Sequence, residues 1–325
     1  MTLNKTDAIH RINSLVNSNE PFLLVSDFGC QKNHVLPLTE VNPNDILFEI
    51  NGSSNFTSDN IPTKEFMLSK DPISYQTFLG AFDQVQHELK IGNTYLTNLT
   101  FPTSLKCNHS IKEIFYRSKA KYKLWMRDRF VVFSPEIFVQ WKDGILNSFP
   151  MKGTIDADVS NAKEKILHNE KEMAEHTAIV DLIRNDMSIY AKNVNVEKFR
   201  YVDEIQTHEK RLLQVSSKIT ADLNGKSAAN FGEVLFSLMP GGSISGAPKE
   251  STIEIIKRVE SYERGYYTGV CGLFDGKNFD SGIMIRFIEQ QGDNLVFKSG
   301  GGIHILSDPE EEYQEMIDKV YVPIY

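Results

Sequence analysis

Residues 266–305 read YYTGVCGLFDGKNFDSGIMIRFIEQQGDNLVFKSGGGIHI, apolar and aromatic runs punctuated by Asp275-Gly276 and Gly292-Asp293. Asp and Gly tolerate the positive φ that a two-residue hairpin needs, so each pair predicts a tight reversal. Parallel neighbours would require a crossover of a dozen or more residues, for which there is no room. The stretch therefore predicts a three-strand antiparallel meander. The same reading gives two more antiparallel strands over "RFVVFS" and "EIFVQWKDGILNSF", with Asp143-Gly144 as a hairpin turn.

Helices come in clusters between these strands. An amphipathic helix is predicted from Ser74, with Phe78, Phe82, Val85 and Leu89 on one face and Gly92 as its stop. The longest helical pattern runs from Ser160, with Ser160 or Asn161 as cap, to about Asn185. Others are expected near Asp7–Asn17, Phe231–Leu238, Pro248–Val259 and Asp308–Val320. Strands and helices that cluster rather than alternate define an α+β chain, with antiparallel β-sheets flanked by helices. No repeat, low-complexity tract or linker marks a boundary, so residues 1–325 are read as one domain, with 1–70 as an N-terminal region and 71–325 as its core.

The net charge of −8 and the absence of a Lys/Arg block exclude a general nucleic-acid binder. The N-terminus lacks a signal-type apolar core, and no run approaches the roughly 18 apolar residues of a membrane span. Cys30, Cys107 and Cys271 are isolated, without a C-x-x-C motif, as in a reduced cytoplasmic protein without structural zinc. No nucleic acid and no membrane is expected among the partners.

Several constellations carry chemistry, and each fits two readings. Lys152 lies in a turn, SFPMKGTIDAD, between a strand-like and a helix-like run. It is either a solvated loop lysine or an amine held partly desolvated for attack on carbon. Glu136 precedes it by sixteen residues at a strand break, and a hairpin could bring the two together as nucleophile and general acid. A nearby carboxylate raises a lysine pKa, whereas nucleophilicity needs it lowered from about 10.4, so burial or a protonated Glu136 must outweigh the pairing.

Glu172 and Glu175, and again Glu312 and Glu315, sit at i,i+3 on predicted helices. Each pair is either a solvated acidic face or half of a Mg²⁺ site shared between two helices. "PGGSISGAPKES" feeds a helix N-terminus as a turn or an anion cradle, and it is no nucleotide P-loop because Ala247 and Pro248 separate Gly246 from Lys249. Gly300, Gly301 and Gly302 end a strand, as a plain turn or a close approach to ligand. Arg286, on the Met284 face of an apolar strand, either bridges the sheet or forks a substrate carboxylate, and Tyr267 is equally two-sided.

Taken in order, "SPE" (134–136), "PMKGT" (150–154), "EMAEHTAIVDLIRND" (172–186), "PGGSISGAPK" (240–249), "RGYYTG" (264–269), "IMIRF" (283–287) and "GGGI…DPEEEYQEMIDK" (300–319) resemble the motifs of the chorismate-utilising enzymes. The resemblance covers about Lys121 to Lys319, and the earlier part is similar to that family's weaker N-terminal region. It implies an elaborate α+β fold and a dianionic cyclohexadiene substrate, chorismate. It also implies Mg²⁺, with Glu175 and Glu315 as direct or near-direct ligands and Glu172 and Glu312 acting through water.

Members that make anthranilate usually carry alanine at the position of Lys152, and those of the aminodeoxychorismate synthase component I kind carry lysine. The resemblance thus implies attack by Lys152 on C2 of chorismate with Glu136 as general acid, then ammonia addition at C4, giving 4-amino-4-deoxychorismate for p-aminobenzoate and folate synthesis. Anthranilate or isochorismate synthesis is the alternative. Asn98, in "TYLTNLT", stands where water-activating relatives use a lysine base, which suits an ammonia user.

Ser245, Gly246, Tyr267, Arg286, Gly300, Gly301, Gly302, Lys319, Gln214 and Asn98 are the implied substrate contacts. Gln214 departs from the family's frequent histidine, Ser245 from threonine and Met151 from isoleucine. The chain is also short for the family, so a trimmed N-terminal region without tryptophan feedback is expected. No G-x-C-x-G nucleophile turn is present, so ammonia is expected from solution or from a separate glutamine amidotransferase subunit. No appended lyase is expected either.

Overall fold

The computed structural model describes residues 2–57, 64–206 and 211–324. Among them, two nine-stranded antiparallel sheets form the body of the molecule. In the first, the strands run Met151–Asp156, Arg211–Asp222, Ile145–Ser148, Ile137–Lys142, Phe279–Ile283, Val270–Phe274, Phe22–Ser26 and Asn33–Pro37, with Lys192–Gln206 also paired to Arg211–Asp222. The second runs Gly246–Ala247, Leu96–Cys107, Asn294–Ile303, Phe287–Gln291, Phe130–Ser134, Tyr122–Met126, Ile46–Ile50 and Ser53–Ser54, with Leu68–Asp71 on the far part of Leu96–Cys107.

The apolar run of Phe22–Ser26 is explained by its position. Leu23 and Val25 point into a core shared by both sheets, with Phe48, Tyr122, Leu124 and Phe287, while Phe22 and Leu24 face the opposite side. A strand buried on both faces has no polar alternation to show. On that opposite side the helices Lys5–Asn17 and Phe231–Leu238 cover the first sheet, with Phe231 stacked on Trp141. Helices Tyr75–Lys90, Lys249–Val259 and Pro309–Asp318 cover the second through Phe78, Phe82, Ile255 and Met316, packed on Leu99, Phe101 and Ile303. No helix of the described residues is long and apolar enough to cross a membrane.

The antiparallel sheets, the helix capped by Ser74 and the hairpin at Asp143-Gly144 match the sequence reading. Four local expectations are corrected. The long helix is two, Ala162–His168 and Glu170–Ser188, because Asn169 turns extended and its side chain accepts from Glu172 N as a fresh N-cap. The meander is four strands divided between the sheets, Val270–Phe274 and Phe279–Ile283 in the first, Phe287–Gln291 and Asn294–Ile303 in the second. Arg286 therefore lies not on a strand but at the crossover, with φ of 54°. Lys152 lies not in a turn but in the strand Met151–Asp156, at a bulge where Met151 faces Ser216 and Thr154 faces Gln214. Gly153, with φ of 85°, supplies the left-handed residue that the bulge requires.

Two crossovers connect the sheets side by side. The chain leaves the second sheet at Ser134, passes Pro135-Glu136 and enters the first, and it returns through Met284, Ile285 and Arg286. They are hydrogen-bonded to one another, Ile283 N donating to Glu136 O and Phe133 N to Arg286 O, both at 3.1 Å.

Candidate active site

A pocket of about 510 Å³ opens at the seam between the sheets. The first sheet contributes Lys152 and Gln214, the second Asn98 and Gly300–Gly302, and the two crossovers Glu136 and Arg286. Glu172 and Glu175 enter from the helix Glu170–Ser188, Glu312 and Glu315 from Pro309–Asp318, followed by Lys319, and Tyr267 closes one wall. Fourteen of the sixteen residues singled out in the sequence thus line one cavity.

The bulge aims Lys152 inward, where Nζ lies 3.1 Å from Glu175 Oε2 with 19 % of the side chain exposed. The strand opposite leaves room for it only because residue 302 is glycine, since a Cβ there would come within 2.9 Å of Nζ. Burial pulls the Lys152 pKa down, but Glu175, with Glu172 and Glu315 behind it, outweighs burial and holds the ammonium above its ordinary value. Glu175 also faces His304, whose Nε2 lies 2.8 Å from Oε1. Because His304 Nδ1 accepts from Leu306 N, its ring proton sits on Nε2. Burial alone would raise the Glu175 pKa, yet His304 and Lys152 together hold it down at about 2.

The helix that carries Glu175 is fixed behind Lys152 by the next residue. His176 is fully buried and meets Ser217 Oγ at 2.6 Å, and Ser217 N donates to Pro150 O, two residues before Lys152. Burial, with Arg200 and Lys152 nearby, lowers the His176 pKa to about 4, so the ring is a neutral strut.

Glu136 has the opposite electrostatics. Burial raises its carboxyl above the ordinary range, although the Ser243 hydroxyl donates to Oε1 at 2.6 Å and Lys152 and Arg286 pull the other way. It is an acid that keeps its proton more readily than an exposed glutamate. Burial likewise pushes the Tyr267 hydroxyl up, so it remains a neutral phenol.

Of the five pocket glutamates, the helix-borne Glu172 and Glu312 have room because glycines stand opposite them. A Cβ on Gly153 would approach Glu172 Oε2 to 3.3 Å, and one on Gly301 would approach Glu312 Oε2 to 3.2 Å. Lys319 Nζ binds Glu315 Oε1 at 2.5 Å and donates to Gly300 O at 2.9 Å. Among the described residues, no three acidic, histidine or cysteine side chains are close enough to make a ready-formed metal cluster. An all-carboxylate set nonetheless has the donor chemistry of a hard divalent cation, and magnesium needs only one or two carboxylates beside water and substrate oxygens. The residues fit that ion, with the lysine ammoniums now meeting Glu175 and Glu315.

Ser245 and Gly246 stand behind the wall. The Ser245 hydroxyl is buried and donates to Gly241 O, and Gly246 pairs with Thr97 so tightly that a Cβ would overlap Leu96 O. Ser243 and Ile244 line the pocket instead. Ser243 and His304 were not singled out in the sequence, although both lie inside the motifs "PGGSISGAPK" and "GGGIH". Arg264 is a third such residue. Buried against Glu260 at 2.6 Å, its guanidinium donates to Ile244 O at 2.7 Å and Asn98 O at 2.6 Å, tying two walls of the pocket together.

This fold and pocket define a chorismate-utilising enzyme. The chain belongs to the chorismate binding enzyme family, whose model matches residues 31–324. It is 47% identical over 317 residues to an uncharacterized PabA-like protein of Pasteurella multocida, covering 97% of this chain and 98% of that one. It is 29% identical over 267 residues to aminodeoxychorismate synthase component 1 of Bacillus subtilis, covering 77% and 55%. Among solved structures it resembles MenF, the menaquinone-specific isochorismate synthase of Escherichia coli, with a TM-score of 0.75 at 16% identity over 98% of this chain and 82% of that one.

Proposed function

We propose that the chain is an aminodeoxychorismate synthase component I, which replaces the C4 hydroxyl of chorismate by an amine. The observation that carries this reading is the primary amine of Lys152 in the same pocket as the proton-retaining Glu136. Similarity to aminodeoxychorismate synthase component 1 supports it.

In this reading the neutral amine of Lys152 attacks ring carbon C2. The conjugated π electrons shift round to C4, the C4–O bond breaks, and the Glu136 proton leaves with the hydroxyl as water. Ammonia then attacks C4, the electrons return, and the C2–N bond to Lys152 breaks. The proton released by the new ammonium restores Glu136. The enolpyruvyl group is untouched, so pyruvate stays on the product. Before attack the Lys152 ammonium must lose its proton, and because Glu175 is held ionised, with a pKa of about 2, that proton passes to solvent. The Arg286 fork, Tyr267 and the Gly300–Gly302 backbone would hold the two carboxylates of the substrate. Glu175 and Glu315, with Glu172 and Glu312 through water, would hold Mg²⁺, which supplies positive charge against the ring carboxylate.

Ammonia would come from a separate glutamine amidotransferase subunit. A cytoplasmic location suits the free thiols Cys30, Cys107 and Cys271. Incubating the chain with chorismate, Mg²⁺ and an ammonium salt, and identifying the products by mass spectrometry, tests the reading. Aminodeoxychorismate, convertible to p-aminobenzoate by an added lyase, is expected. Anthranilate or isochorismate would overturn it.

A further inference from the structure

Arg286 faces the pocket with its donors unspent. Among the described residues its guanidinium makes no hydrogen bond and no ion pair, and its Nε is buried without a partner. A cation in that state is drawn to carboxylates, and Glu136, Glu312 and Glu315 line the same pocket. Glu310, Glu311, Glu315 and Asp318 form an acidic surface on the helix Pro309–Asp318, which Gln314, Lys319 and Tyr321 share. The Tyr321 ring is also what the guanidinium does touch, 5.0 Å from carbon Cζ to the ring centroid. The ring is held in place by its neighbours, Val320 and Val322, which are packed into the core that covers Trp125 and Phe133.

We propose that Tyr321 is a positioning residue. Its ring seats the Arg286 guanidinium by a cation–π contact, so that an incoming carboxylate meets a preset fork. No motif that carries the family resemblance reaches residue 321, which follows the last of them by two positions. The inference rests on the chorismate reading for the identity of the carboxylate, though not for the placement of Arg286.

Calorimetric titration of chorismate with Mg²⁺ and without ammonium tests it. A cation–π contact of about 1 kcal/mol corresponds to about a five-fold weaker Kd for Tyr321→Ala. Tyr321→Phe, which keeps the ring and loses the hydroxyl, should bind as wild type. In an Arg286→Ala background, Tyr321→Ala should add nothing. A Phe variant as weak as the Ala variant, or full additivity with Arg286→Ala, overturns the proposal. Crystal structures of the wild type and Tyr321→Ala without substrate give a second readout, with the guanidinium expected to turn toward the acidic helix in the variant. An unmoved guanidinium overturns the proposal. If it moves while wild type binds no chorismate, the chorismate reading fails and the positioning role stands.

Discussion

Lys152 Nζ and Glu175 Oε2 lie 3.1 Å apart, a charge pair formed between a sheet bulge and a helix. The pairing keeps the amine protonated, and the proposed mechanism rests the amination on this one side chain. Lys152→Ala is therefore expected to fold, with loss of all aminodeoxychorismate formation. The removed side chain leaves Glu175 still facing His304. Circular dichroism and product analysis check the two halves, and undiminished amination in the variant would remove Lys152 from the mechanism.

On the proposed mechanism the productive form needs Glu136 protonated and Lys152 neutral, yet burial holds the acid above its ordinary 4.5 and Glu175 leads the charges that hold the amine above its ordinary 10.5. Between the two raised values, each pH unit gains neutral lysine tenfold and loses protonated glutamate tenfold. Wild-type turnover should thus plateau there and fall at both ends. Glu136→Gln leaves only the lysine limb, so its residual turnover should climb steadily with pH. The contribution of Glu136 to stability is fully present below its unfolded pKa and is lost as pH rises through the higher folded value. The Gln variant, whose amide oxygen still accepts from Ser243, should show less loss of Tm than wild type as pH rises above the ordinary carboxylate range. Identical pH profiles for the two proteins would exclude Glu136 as the acid.

Glu315 is half-exposed and engaged by Lys319, which outweighs burial and lowers its pKa. If it serves a metal, Glu315→Gln should raise the Mg²⁺ concentration for half-maximal turnover by at least about tenfold, in line with the loss of one carboxylate from a hard-cation site. Metal titration of initial rates decides it, and an unchanged Mg²⁺ requirement assigns Glu315 to Lys319 alone.

Arg264 and Glu260 are 2 % and 1 % exposed. Arg264→Leu leaves Glu260 buried without its cation, at a cost of about 3–5 kcal/mol. It also releases Ile244 O and Asn98 O, so activity should fall in the fraction that remains folded. Adding Glu260→Leu should restore part of the stability without restoring activity. Urea unfolding of both variants measures this, and equal stability of the single variant and wild type would refute the uncompensated-charge argument.

Much of the site was legible because its chemistry is written in residue types that are costly without a purpose. Paired glutamates on one helix face, a run of three glycines and an isolated arginine among apolar residues all fall on the lining of one pocket. What eluded the sequence was decided between distant segments. Alternation runs unbroken through Ile283, Met284, Ile285 and Arg286, and only the change of sheet turns that stretch into a crossover. Helical periodicity likewise passes through Asn169, where one extended residue starts a new helix. The partner of Lys152 was read as Glu136, nearby in sequence, whereas the nearest carboxylate comes from a separate helix. Ser245 looked exposed to ligand and is instead a buried brace, because its hydroxyl turns back to Gly241.

The paired crossovers at Glu136 and Arg286 have a consequence for how the protein matures. Neither sheet by itself contains a working pocket, and strand partners such as Phe22 and Phe274 come from opposite ends of the chain. Such long-range pairing is slow to form. Because the pocket draws residues from both sheets, turnover is expected only from chains in which the two have joined, and its recovery on refolding would gauge completed assembly.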